Sequence, residues 1–368
     1  MNGLISFAAI LSTIVLGEVT EPERIDLDKI ASVVESYEKM FDHSEIIYEE
    51  QSRVLDDSYL SPRTFKKRDA VHTFIKQGSF RYVKDYSHGV SIDKSEHALT
   101  YESQFDGDRF VGLNSDKESG SETARLSNKF LLNQTSDYLT PYRLPFACQK
   151  FTPRMADYLR GAKGVADKMW YQDFEHEIAS KSFDEIEGLK CVKIVSRIRR
   201  IAGPDFKPKQ TLWISIERNY LPIRFEDYNM MGDETVPRAV VISSDIREFE
   251  PGVWIPHVVT HTEYNHIKYK TEKKLVKESI DTYTLKKLNL NPDYPKSFFQ
   301  KIKVPAGASV TVQKGGEIVR QDRQGLAQPS QERNRSAFPR FWVTLVSAAF
   351  VIVIITVAFF KRKRRTGS

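Results

Sequence analysis

The stretch Trp342–Phe360 (WVTLVSAAFVIVIITVAFF) carries no charge from end to end, and Thr344, Ser347 and Thr356 are its only polar breaks. As an α-helix rising ~1.5 Å per residue it would span roughly 28 Å, close to the ~30 Å hydrocarbon core of a bilayer. Lys361-Arg362-Lys363-Arg364-Arg365 follows directly. Cations abutting a spanning segment are retained on the cytoplasmic side, so everything before Trp342 is expected outside the cytoplasm, on the periplasmic side. A buried helix of a large globular core is the plainer alternative, but such helices rarely run this long without a charge. The sequence therefore predicts a single-pass membrane protein, with a transmembrane helix at 342–360 and a basic cytoplasmic tail at 361–368.

Met1–Gly17 has a shorter apolar run, Leu4 to Leu16, followed by the polar GEVTEPE. That length suits the core of a secretory signal peptide at 1–17, cleaved near Glu18; an uncleaved second anchor is the alternative. Net charge is +6, and the five cations after Phe360 account for +5 of it. Little basic charge remains to neutralise a nucleic-acid backbone, so no nucleic-acid partner is expected. Cys148 and Cys191 are the only cysteines. In an oxidising compartment they are candidates for a disulfide worth ~3–4 kcal/mol; two unrelated buried thiols are the other reading. Asn133 and Asn334 lie in Asn-x-Ser/Thr sequences.

Between these ends the pattern changes once. Ile25–Phe41 sets Ile25, Ile30, Val33, Val34, Tyr37 and Phe41 at helical spacing behind a leading acidic turn. From Ile46 onward short alternating runs dominate. Ala70–Gln77 and Ser79–Lys84 flank Gly78, Ala98–Phe105 and Arg109–Asn114 flank Asp106-Gly107-Asp108, and Ser115–Thr123 reads as a polar loop. An Asp-Gly between strands is a strong hairpin signal. Leu126–Gly164 looks helical and irregular, with a short helix at Met155–Ala162. Strands resume at Tyr171 and run to about Tyr283, broken by Glu187-Gly188, Arg218-Asn219 and Pro251-Gly252, and a last hairpin turns at Gly315-Gly316. The composition of 321–340 marks a flexible linker. The fold class expected is α+β, a curved antiparallel sheet with covering helices.

No GxSxG elbow, phosphate loop, GxGxxG or HExxH occurs, so the common catalytic motifs give no support for an enzyme. The segment HVVTHTEYNH offers His257, His261, Glu263 and His266. Pro256 and the β-branched run favour a strand, which sets His257, His261 and Glu263 on one face. Such a face can hold a metal; the plainer reading is a solvated face with Val258 and Thr260 packed inward. Asp56-Asp57 and Asp106/Asp108 read as turn chemistry. Trp213, Tyr220 and Phe225 suit either an aromatic lipid contact or ordinary sheet core. No metal or cofactor is expected.

The segment TLWISIERNYLPIRFED (Thr211–Asp227) resembles the LolA/LolB-like outer-membrane lipoprotein carriers and the MucB/RseB superfamily, in which an LWI-x-x-E-R-x-Y-L-P-x-R hairpin recurs. EIEGLKCVKIV before it, EFEPGVWIPHVV after it, and Asp106-Gly107-Asp108-Arg109-Phe110 agree with the same pattern over about residues 25 to 315. The resemblance implies a half-open barrel whose concave apolar face accepts acyl chains. It places ligand contacts on Leu212, Trp213, Ile214, Ile223 and Phe225, and implies a membrane-tethered binding protein for a lipid or lipoprotein. Its MucB/RseB arm implies an alternative, an envelope-stress regulator acting through a membrane partner.

Overall fold

Asp26 begins the first helix of the computed structural model, which describes residues 25–323 except 63, 129–139, 147–153, 162–173, 201–208, 229–230 and 315–316. The Asp26 carboxylate accepts from the N–H groups of Asp28 and Lys29, filling two donors that a helix start leaves open. Helix α1 (Leu27–Met40) follows and buries Ile30, Ala31 and Val34. The expected signal peptide, transmembrane helix, cytoplasmic tail, Asn133, Asn334 and Cys148 lie outside the described residues. Among the described residues no helix is long and apolar enough to cross a membrane.

Among the described residues fifteen strands follow the helix. The first six are β1 (His43–Val54), β2 (Phe65–Gln77), β3 (Phe80–Ser91), β4 (Glu96–Phe105), β5 (Phe110–Asp116) and β6 (Ser121–Ser127). After the short helix α2 (Met155–Leu159) come β7 (Phe174–Ile186), β8 (Leu189–Arg200), β9 (Lys209–Ser215) and β10 (Leu221–Asp227). Then come β11 (Ala239–Glu250), β12 (Val253–Tyr264), helix α3 (His266–Glu272), β13 (Lys277–Asn289), β14 (Ser309–Lys314) and β15 (Glu317–Arg323). All the strands join one open sheet in the order β15-β14-β6-β5-β4-β3-β2-β1-β13-β12-β11-β10-β9-β8-β7.

The expected α+β class is therefore overturned. Helices of 14, 5 and 7 residues stand against fifteen strands, so the described fold is mainly β. The helical reading of 126–164 produces only α2 and a 3-10 turn at Leu144–Phe146 among its described residues, and the expected loop at Ser115–Thr123 is instead the end of β5 and the start of β6. Helix α3 was absent from the sequence reading; Asn265 starts it by accepting from Ile267 N and Lys268 N. The expected linker also begins too early, because β15 continues to Arg323.

Pairing is antiparallel throughout except that β14 runs parallel to β6. The cause is the path between β13 and β14. Phe299 packs with Ile75 and Tyr82, the Gln104 side chain accepts from Ile302 N at 2.8 Å, and Gln300 donates to Asp106. This crossing over one face delivers the chain to β6 from the far side. The face it crosses is the outer one; the inner face lies under α1.

The main core sits on that inner face. Ile30, Ala31 and Val34 of α1 meet Ile46 and Tyr48 of β1, Phe74 of β2, and apolar residues of β8 to β13. Tyr142, Leu144, Phe146 and α2 fill the rest. At ~1.5–3 kcal/mol per fully buried large apolar side chain, this cover is a major contributor to stability.

Candidate binding face

The β9–β10 hairpin divides the five expected ligand contacts between two faces. Trp213 pairs with Arg224 and Leu212 with Phe225, so successive side chains alternate across the sheet. Leu212, Ile214, Ile223 and Phe225 are all buried in the inner core. Phe225 meets the Phe146 ring edge-on at 5.2 Å, and Phe146 lies 5.1 Å from Tyr158. Trp213 alone turns to the outer face, and it too is buried, 7% exposed and a member of the same apolar cluster.

Between the strands, Glu217-Arg218-Asn219-Tyr220 is turn architecture. Asn219 and Tyr220 have φ of 56° and 55°, a left-handed conformation that Asn tolerates better than most residues. The Asn219 amide donates to Gly252 O, and Arg218 lies 3.4 Å over the Trp254 ring. The ERNY turn is thereby fastened to the Pro251-Gly252 turn beside it.

The inner cover is tied down by a few polar contacts. Tyr158 and Ser196 hydroxyls meet at 2.5 Å, and Tyr142 donates to Asn219 O at 3.0 Å. Glu38 of α1 accepts from Met155 N at 2.9 Å and Ala156 N at 3.3 Å, which fixes the start of α2. Burial raises the Glu38 carboxyl above its usual range, against the pull of Arg143 and those two N–H groups. Arg160 adds a 2.9 Å ion pair with Glu35.

Beyond the apolar cover the inner face becomes ionisable. His72 bridges Glu50 at 2.6 Å and Asp85 at 2.9 Å, while Arg68 also engages Glu50. Burial opposes charge on His72, but its hydrogen bonds to Asp85 and Glu50 prevail and raise it to about 9. Burial likewise works against the Glu50 carboxylate, yet His72 and Arg68 hold it below its usual range. Across β1, His261 meets Asp281 at 3.2 Å.

The expectation for β12 is reversed in part. Val253, Ile255 and Val259 enter the inner core, and His261 on the same face is 7% exposed. Val258 and Thr260, expected inward, are half-buried. Among the described residues no group of three His, Cys, Asp or Glu can hold a metal. Asp56 is not solvated turn chemistry either: it is buried and bonded to Asn265 and Lys268. Cys191 is buried and its thiol donates to Leu189 O at 3.4 Å; burial pushes that thiol up to about 11.

Trp213 lies in a cleft of about 360 Å³ on the outer face, between the end of β7 and strands β8 to β10. Its indole N–H donates to Asp184 at 2.9 Å. Lys193 and Arg224 approach its ring at 5.2 and 5.7 Å. At the other end Lys209 lies 4.0 Å over Tyr228, whose hydroxyl donates to Glu226.

No family model matches the chain, and no curated protein matches it. One solved structure, described as a domain of an outer membrane lipoprotein-sorting protein from Vibrio parahaemolyticus, is similar in outline. It covers 75% of this chain and 98% of its own at 8% identity and a TM-score of 0.35. A likeness that loose carries no functional argument.

The sequence reading missed the outer cleft and the Glu38 tie. The cleft has a visible signal, since Lys193, Val195 and Arg197 alternate with Ile194, Ser196 and Ile198. The Glu38 tie has none, because its partners are backbone N–H groups more than a hundred residues away.

Proposed function

We propose that this protein is a membrane-tethered binding protein that holds the acyl chain of a lipid or lipoprotein against the inner face of its open sheet, outside the cytoplasm. One observation carries the reading. Among the described residues the apolar inner face is covered by helix α1 and the short segment through α2, packed on the sheet by apolar side chains and joined by a few hydrogen bonds, and not by a second sheet. A cover of that kind can shift, and an acyl chain of matching character then occupies the apolar area it leaves. Leu212, Ile214, Ile223 and Phe225 form the floor beneath it; Trp213 faces away and belongs to a different site. The tether is the apolar stretch Trp342–Phe360 with its cationic flank.

The test uses residues 25–324, purified from membranes without the anchor. Bound lipid detected by mass spectrometry, and saturable binding of a fluorescent fatty acid competed by palmitate, are the expected results. A domain that carries no lipid and binds no fatty acid overturns the reading.

A further inference from the structure

We infer that the end of the sheet where β1 stops and β13 begins docks on an anionic lipid bilayer, with Leu55, Tyr59 and Leu275 entering the interface and the lysines around Leu275 meeting the headgroups. The inference rests on the tethered reading above for a bilayer within reach. Eighteen residues separate Arg323 from Trp342, a length that reaches roughly 25 Å as a coil.

Two connections meet at this end. One joins β1 to β2, from Val54 to Phe65; the other is α3 with the turn that follows it to Lys277. They are fastened together. Leu55 N and Asp56 N donate to Glu278 O at 2.8 and 3.2 Å, and the buried Asp56 carboxylate accepts from Asn265 at 3.0 Å and from Lys268 at 2.8 Å. These bonds hold the backbone of the corner, yet Leu55, Tyr59 and Leu275 are 55%, 52% and 51% exposed. Large apolar side chains gathered in water on a bonded corner mark a surface that another apolar phase covers.

The charge around them selects that phase. Residues 266–278 hold five lysines against Glu272 and Glu278. Asp56 takes Lys268, Asp57 takes Lys66 at 3.2 Å, and Glu272 takes Lys274 at 3.3 Å. Lys270, Lys273 and Lys277 are exposed and stand beyond those pairs, while Glu278 is half-buried. Burial, then the nearby Glu263, raises the Glu278 carboxyl above the usual carboxylate range. Cations ringing apolar side chains match the membrane interface: leucines enter the acyl boundary, a tyrosine ring sits at headgroup depth, and ammonium groups meet anionic lipid. A nucleic-acid backbone would take the lysines and leave the leucines in water.

The experiment uses the full chain in liposomes of phosphatidylcholine, alone or with about 30% phosphatidylglycerol or phosphatidylserine. Acetylation of Lys270, Lys273 and Lys277 by N-hydroxysuccinimidyl acetate is followed by mass spectrometry, with the exposed Lys190 of β8 as reference. Slowing of about fivefold or more in both anionic liposomes and none in phosphatidylcholine is expected. Salt at about 0.5 M, or Leu55→Ser combined with Leu275→Ser, should abolish it. Both leucines are exposed, so the double variant is expected to unfold in urea as wild type does. Equal rates in all three liposomes, or slowing that survives the double substitution, overturns the inference. Equal slowing by polyglutamate in phosphatidylcholine liposomes would assign the surface to an acidic polypeptide and overturn it too. Alkaline carbonate extraction is measured on the same samples. A chain released by carbonate lacks the anchor, whereas a retained chain with equal acetylation lacks the docking surface, so the two failures are distinguishable.

Discussion

The two faces of the β9–β10 hairpin differ in what their residues are asked to do. Inward, Leu212, Ile214, Ile223 and Phe225 are between 0% and 2% exposed and belong to the apolar core cluster. Outward, Trp213, Arg224 and Glu226 form a charged, aromatic cleft open to solvent. One strand alternation thus serves two chemistries within seven residues of each strand. A run that reads as uniformly apolar, such as LWI, therefore specifies two surfaces.

The sharpest way to break that contrast is to truncate the inner face. Phe225→Ala removes a ring packed on Phe146 in a site with no exposure, and should cost about 3–5 kcal/mol of stability. Urea unfolding of residues 25–324 reads this directly. A loss below about 1 kcal/mol would mean that the inner face is loosely packed and that the two faces differ less than described.

A second, smaller effect separates the apolar part of the inner face from its ionisable part. The pKa of His72 is raised from 6.5 to about 9 in the fold. The folded protein therefore holds this proton more tightly than the unfolded chain does. Its contribution to stability is fully present below pH 6.5 and is lost as the pH rises through 9. The slope across that window is at most ~1.4 kcal/mol per pH unit, or roughly 3 kcal/mol in all. In His72→Gln this component of the slope is expected to vanish, whatever the variant's absolute stability. Glu50 and Asp281, both held below their usual range, act in the opposite direction, and their contribution is lost on acidification.

How much of this was legible depends on whether the information is local. Helix α1, the Asp106-Gly107 hairpin and the turns at Arg218-Asn219 and Pro251-Gly252 are visible because capping residues, glycine and left-handed asparagine act within a few positions. Class and topology were not legible. Whether α1 forms one layer of an α+β fold or a patch on a fifteen-strand sheet depends on how many strands follow, and β6 was hidden by its polar composition, SETARLS. The parallel β14–β6 pairing depends on a crossing anchored by Gln104, Asp106 and Phe299, which no short window contains. The candidate contacts were legible as residues but not as a site, since the sequence identified Trp213 and Phe225 without revealing that they face opposite ways.

The tie between the cover and the sheet gives a third test, smaller again. Tyr158→Phe deletes a buried hydroxyl that meets Ser196 and leaves the ring in place. The expected cost is about 1 kcal/mol of global stability. If the cover shifts to admit an acyl chain, the same variant should take up a fluorescent fatty acid faster than wild type in stopped-flow measurements. Unchanged uptake with the expected stability loss would show that this hydroxyl pair stabilises the fold without restraining the cover.

The smallest expected effect returns to the outer side of the hairpin. Trp213→Phe removes the indole N–H that Asp184 accepts at 2.9 Å and weakens the ring's interaction with Lys193 and Arg224. Phe keeps the aromatic ring and most of the apolar contact, and Asp184 retains the Glu185 N–H at 2.9 Å. The hydrogen bond and the cation–π interaction lie beside solvent, so their combined contribution to stability is about 1 kcal/mol or less. Urea unfolding should therefore place this variant close to wild type, far from Phe225→Ala on the facing strand. A loss as large as that of Phe225→Ala would mean that Trp213, 7% exposed and a member of the same apolar cluster, supports the fold as strongly as the inner residues do. The division of labour across the hairpin would then have to be abandoned.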